Sequence, residues 1–211
     1  TMIAGFNTDE ITPDVPYDYF FTSAFSIWGW ASWRRVIDRW DGKYTFLDDE
    51  YNMRQLKALI RQRGFRNDII KMCRDHRETG REYYESIFWA SMLFNSGLAI
   101  MPTKNMINNI GLTTDSTHYS ATFETMPRRY RRIFTMDRHE TDFPLRHPRY
   151  VIENVEYNKR LYLTYAWNNP WRKVQYSMEE LMLNLSHGNF TVITKALRRR
   201  IRKWMGRDKH V

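Results

Sequence analysis

A single cysteine, Cys73, is all the thiol chemistry this sequence has. One cysteine excludes an internal disulfide and any multi-cysteine zinc site, and it fits a reducing compartment such as the cytoplasm. Long apolar runs are also missing, so no segment reads as membrane-spanning. The opening TMIAGFN has neither the basic leader nor the long apolar stretch of a signal peptide; it reads as a strand taken from the interior of a larger chain. There is no glycine-rich phosphate loop, no HExxH pair and no nucleophile elbow, which removes the kinase and common hydrolase templates. Internal repeats and low-complexity segments are absent as well.

What remains is a chain of 211 residues, 42% hydrophobic and 27% charged, long enough for one domain with a real core. Its 33 Lys and Arg against 24 Asp and Glu give a formal charge of +9. Such an excess suits an anionic partner: nucleic acid, anionic lipid or a phosphorylated ligand. From Lys195 to Lys209 there are eight basic residues and one acid, whereas the body of the chain is nearly neutral. A second basic cluster, RRYRR at Arg128 to Arg132, is offset by acids elsewhere.

Periodicity predicts alternating strands and helices, an α/β class. MIAGF reads as a strand leading into a loop with Pro13, Asp14 and Pro16. Trp33, Val36, Ile37 and Trp40 have helical spacing, which predicts a helix from about Ala31. Acids ahead of Met53, Leu56, Leu59 and Ile60 predict a second helix, closed by Gly64. Phe65, Ile69, Ile70 and Cys73 predict a third, and YYESIFWASMLFNSG a fourth that ends at Gly97. LAIMP is a short strand stopped by Pro102, and KNMINNIGLTTDSTHYS reads as strand plus loop. FPLRHPRYVIENVEYN suggests short strands, and the tail from Ser177 two helices broken at His187 to Asn189.

Three groups of residues carry candidate chemistry. Asp48, Asp49 and Glu50 could hold a divalent cation, but their place before a helix favours N-capping and a first-turn interaction with the helix dipole. Glu85, in the first turn of a segment rich in Tyr83, Tyr84, Phe88 and Trp89, is either a structural first-turn glutamate or a half-buried base. His118, beside Asp115, Ser116 and Thr117, is either a hydrogen-bonded loop histidine or a metal ligand next to groups suited to phosphate. In the tail, Ile193, Leu197, Ile201 and Trp204 share one helical face while Lys195, Arg198, Arg199, Arg202 and Lys203 fall mainly opposite. That pattern fits a helix at an anionic membrane surface, a solvated basic helix, or an RNA-binding tail.

IAGFN followed by YFFTSAFSIWGWASWRR, then YYESIFWASMLFNSGLAIMP, then NMINNIGLTTDSTH together resemble a family. They are similar to the C-terminal half of bacterial nucleotide-diphospho-sugar transferases of GT-A type, often called haemolysin-like, with distant similarity to N-acetylglucosaminyltransferase I. The resemblance extends to about Tyr119, and WGWASW and NIG…DSTH are its specific parts. It implies a partial GT-A domain over residues 1–125, on the acceptor side. An extension with short strands over 126–176 and a helical, basic amphipathic tail over 177–211 follow.

The resemblance implies an inverting, metal-dependent glycosyltransferase that moves a sugar from a nucleotide-sugar to a hydroxyl of a saccharide or lipid-linked acceptor. Trp28, Gly29 and Trp30 would then line the donor and acceptor pocket. Glu85, where many relatives have Asp, would be the base, and Tyr84 beside it would bind substrate. Asp115, Ser116 and Thr117 would face the donor, and His118 would bind Mn²⁺ or Mg²⁺ and the diphosphate. The family's acidic metal motif would lie upstream of Thr1, which leaves open whether this chain alone transfers sugar. The tail would hold the protein at the inner face of the cell membrane, and nucleic acid is not expected. The alternative function is a non-catalytic module that binds anionic membrane or nucleic acid through its basic tail.

Overall fold

A computed structural model describes residues 1–80, 83–110 and 123–204. The class is mixed α/β, with helices around a four-stranded mixed sheet. Two compact units divide the chain: residues 1–109 with 135–169, and residues 110–134 with 170–211.

The first unit holds the sheet. Strands β1 (Met2–Ala4), β2 (Tyr19–Thr22), β3 (Trp30–Ser32) and β4 (Ala99–Pro102) lie in the order β2-β4-β1-β3. β1 runs parallel to β4 and antiparallel to β3, and β2 pairs antiparallel with β4, Phe20 opposite Met101. Met2, Ala4, Phe20, Ala99 and Met101 face the core, as the period-two pleat requires. Helices α2 (Glu50–Leu59), α3 (Arg63–Thr79) and α4 (Tyr84–Phe94) bring Met53, Leu56, Phe65, Ile69, Ile87 and Phe88 into the same cluster. Strands at MIA and AIMP and helices over these apolar repeats follow the sequence expectation. Asp49 is the N-cap of α2, its carboxylate accepting from the Asn52 amide at 3.0 Å, and Asp48 pairs with Arg77 at 2.9 Å. Those two acids are therefore engaged in local structure.

Three local expectations differ from the structure. A helix from Ala31 is not formed; residues 30–32 are β3, and the helix that follows, α1 (Arg34–Ile37), is a single turn with Trp33 as its extended N-cap. Pairing with β1 offers these residues inter-strand hydrogen bonds, which outweigh a weak helical preference among three tryptophans. Gly64 does not close α2 but lies in the first turn of α3. The break comes at Ile60, which is extended and buried, and Gln62 caps α3 by accepting from the Gly64 amide at 2.8 Å. Where short strands were expected within 143–158, the chain runs irregularly to Asn154, which caps helix α6 (Val155–Thr164) by accepting from the Tyr157 amide at 2.9 Å. Tyr157, Asn158 and Leu161 on α6 are buried.

The described part of the second unit is helical: α5 (Arg128–Thr135, its last residue in the first unit), α7 (Pro170–Ser186), which starts ahead of the expected Ser177, and α8 (Phe190–Trp204). Glu179 on α7 accepts from the Arg128 amide at 3.0 Å, and the rings of Tyr176 and Tyr130 meet edge to face. The break between α7 and α8 falls at the expected HGN, with Gly188 at φ +69. Among the described residues no helix is long and apolar enough to cross a membrane.

Candidate functional site

The sheet edge brings together pieces that are far apart in sequence. After β1 the chain passes Gly5, whose amide donates to the Gly29 carbonyl at 2.7 Å. Gly29 has φ +57, a conformation that L side chains rarely adopt, and a β-carbon built on it would meet the Ile107 side chain at 2.3 Å. Glycine is thus required both by the turn that carries the chain into β3 and by the isoleucine resting on it. Trp28, before that turn, sets its ring edge-on against Phe6 with centroids 4.7 Å apart. Gly5 and Phe6, Trp28 and Gly29, and Ile107 form one junction.

Beyond the junction, Trp30 packs edge-on against Phe88 at 4.5 Å and lies 5.9 Å from Tyr84, both on α4. Trp40 completes the group, 5.9 Å from Tyr84 and 4.8 Å from Phe88. Trp30 and Trp40 are half-buried, Tyr84 is 52% exposed, and the indole N–H of Trp40 is buried without a hydrogen-bond partner. The result is an aromatic platform of indole and phenol rings at the N-terminal end of α4. Glu85, next to Tyr84 in the first turn, is half-buried, and among the described residues its carboxylate has no hydrogen-bond or ion-pair partner. A carboxylate with no protein partner beside an accessible ring can accept a proton from a hydroxyl held there.

No family model matches the chain, and no curated protein or solved structure is significantly similar to it.

Under α4 lies a polar cluster that the sequence did not suggest. Ser86 is fully buried, and its hydroxyl is shared among the Tyr44 hydroxyl at 2.6 Å, His76 Nδ1 at 2.5 Å and the Tyr83 carbonyl at 3.2 Å. The His76 ring also stacks on Tyr83 at 3.9 Å. Burial raises the Tyr44 phenol above its ordinary value, against the lowering effect of the Ser86 hydrogen bond. The cluster fixes the N-terminal turn of α4 and with it Tyr84 and Glu85. A lone serine inside YYESIF gives no pattern by which to foresee this.

A second network anchors the loops. Asn7, fully buried, donates from Nδ2 to the Pro102 and Thr103 carbonyls and to Thr12 Oγ1, and its amide donates to Asn105 Oδ1. Asn105 in turn donates to the carbonyls of Ile107 and Asp137, which sets the path of the segment that covers Gly29. Asp9 pairs with Arg160 at 2.8 Å; burial raises its pKa, and Arg160 offsets only part of that rise. The sequence signal was present in IAGFN and NMINN, where polar residues directly follow apolar strands.

Of the residues singled out from sequence, Trp28, Gly29, Trp30, Tyr84 and Glu85 are described. Trp30 and Tyr84 meet directly, and Trp28 and Gly29 adjoin them through the chain. Asp115, Ser116, Thr117 and His118 lie outside the described residues. Among the described residues, no group of three or more His, Cys, Asp or Glu is placed to hold a metal ion.

Proposed function

We propose that this chain is part of a GT-A-type glycosyltransferase that moves a sugar from a nucleotide-sugar donor to a hydroxyl of a saccharide or lipid-linked acceptor. One observation carries the reading. The stretches that bear the family resemblance, IAGFN, WGW, YYE and NMINN, are separated by as much as a hundred residues, yet they assemble at one edge of the sheet around Gly29 and the Trp30–Tyr84 platform.

In the proposed reaction the apolar face of an acceptor sugar stacks on Tyr84 and the indole rings, and Glu85 accepts the proton of the attacking hydroxyl. The freed oxygen attacks the anomeric carbon from the face opposite the leaving diphosphate, inverting the configuration. A divalent cation, Mn²⁺ or Mg²⁺, belongs to the proposal, with His118 as its ligand from this chain; bound, it would neutralise charge on the diphosphate. The described residues assemble no donor set for that ion. The protein would work in the cytoplasm at the inner face of the cell membrane, close to lipid-linked acceptors.

The deciding experiment is binding of a panel of nucleotide-sugars to the full-length protein that carries this sequence, with and without Mn²⁺ or Mg²⁺, followed by transfer assays. Glu85→Gln is expected to lower transfer by roughly 10²-fold or more while donor binding and folding are kept. Unchanged transfer by Glu85→Gln removes the base assignment. A second reading, a non-catalytic module that binds anionic surfaces, is favoured by the placement of charge: the unit formed by residues 110–134 and 170–211 has 14 Lys and Arg against 5 Asp and Glu, the whole net charge of the chain. Anion binding with no nucleotide-sugar bound under any metal condition would select that reading.

A further inference from the structure

We propose that the α7–α8 hairpin docks on an anionic membrane, with α7 supplying much of the inserted apolar surface and α8 the charge. This rests on the peripheral location proposed above and not on sugar transfer. The sequence pattern alone assigned the apolar contact to α8. In the structure Val192, Ile193 and Ala196 of α8 are partly covered and line a groove of about 460 Å³ together with Val174, Met178 and Leu181 of α7. The larger exposed apolar surface is on α7. Trp171, Val174, Met178, Met182 and Leu185 fall within about 80° of the helix circumference at 100° per residue, and all five are exposed, Trp171 by 73% and Met182 by 62%.

Val174 and Met178 also border the groove, so the stripe on α7 and the α7–α8 seam form one continuous apolar face. Phe190, 62% exposed at the start of α8, and Leu197 extend it. The opposite side of α7 is occupied within the same unit, where Tyr176 meets Tyr130, and Glu179 at the border of the stripe accepts from the Arg128 amide. Exposed contiguous apolar surface of this kind marks an interaction site.

Charge selects the occupant. The apolar face sits in the unit that carries the chain's entire excess of +9, with Lys195 and Arg198 exposed on α8 and four more basic residues following before Trp204. A second copy would set one +9 unit against another, which like-charge repulsion opposes. Nucleic acid would answer the cations and leave Met178, Met182 and Leu185 in water. A bilayer with anionic headgroups answers both, the acyl boundary taking the apolar face and the headgroups taking Lys and Arg.

The test is flotation of the full chain with vesicles of phosphatidylcholine alone and with about 30% phosphatidylglycerol. Binding is expected only to the anionic vesicles. Met178→Asp with Met182→Asp, both on the exposed stripe, should weaken it about tenfold or more, and Lys195→Glu with Arg198→Glu should weaken it comparably. Circular dichroism melts of both variants should match the parent. Equal binding to both vesicle types overturns the proposal, as does full binding by the Met178→Asp, Met182→Asp variant. Tighter binding to an RNA oligonucleotide than to vesicles, unaffected by the methionine substitutions, would assign the surface to nucleic acid instead. Both variants should still bind nucleotide-sugar if the parent does, so failure of the glycosyltransferase reading is read from the parent and failure of docking from the variants.

Discussion

Individual residues are held by contacts that sequence spacing does not encode. Asn7 Nδ2 lies within hydrogen-bond distance of three buried acceptors, which share its two N–H groups, and Asn7→Ala removes that donor from a buried site. The expected loss is about 3 kcal/mol in urea unfolding, in line with stranding buried polar groups. Cys73 is 1% exposed and burial pushes its thiol up to about 12, so it stays neutral at ordinary pH. Iodoacetamide should label it slowly in the native protein and promptly in urea, and equal rates would contradict its placement. Asp18 accepts from the Arg146 amide at 2.6 Å and from its guanidinium at 3.0 Å; the amide first, then the guanidinium, hold its carboxyl below the usual value. Because the folded pKa is lowered, this contribution to stability is full above the ordinary carboxylate pKa and disappears as pH falls through the lowered one. The gap in urea midpoint between the parent and Asp18→Asn should therefore be open at about pH 7 and close in acid.

At the scale of elements, amphipathic spacing located the helices and close approach of chains set their ends. Gly64 looked like a helix stop because glycine so often is one, yet its role is to let α3 pass the chain after α6. A β-carbon there would lie 2.0 Å from the Trp167 carbonyl oxygen, while Trp167 Nε1 is anchored to Asp68 on α3 at 2.6 Å. Gly80, the C-cap of α3 at φ +64, has open space around it. Gly64→Ala should cost about 3 kcal/mol or more from overpacking against backbone, and Gly80→Ala about 1 kcal/mol from the left-handed conformation alone. Thermal melts of the two variants check the order. The candidate site follows the same rule. Tyr84 and Glu85 were visible as a first-turn pair, but their meeting with Trp30 and Trp40 depends on α1 being one turn long, which the helical spacing of Trp33, Val36, Ile37 and Trp40 concealed.

For the whole molecule, apolar core and net charge are carried by different units. The large hydrophobic cluster lies wholly within residues 1–109 and 135–169, a unit whose 19 basic and 19 acidic residues cancel. Removing residues 170–211 takes away ten Lys and Arg and three Asp and Glu, which lowers the formal charge from +9 to +2. The truncated chain should still unfold cooperatively, since that core is untouched, and should lose most of its retention on a cation exchanger. Loss of the cooperative transition would show that the core depends on α7 and α8.

The sequence by itself determined the α/β class, the amphipathic helices, the strands at MIA and AIMP, the capping role of Asp49 and the concentration of positive charge near the C-terminus. These are properties of neighbouring residues, and apolar period, caps and charge act over a few positions. Only the tertiary structure decided that Gly29 lies under Ile107, that Asn7 ties β4 to the loop ahead of β2, that Ser86 joins Tyr44 to His76, and that α7 carries the larger exposed stripe. Each of these depends on which distant segment fills a given space. Burial and the satisfaction of buried polar groups settle that for the chain as a whole, beyond the reach of local spacing.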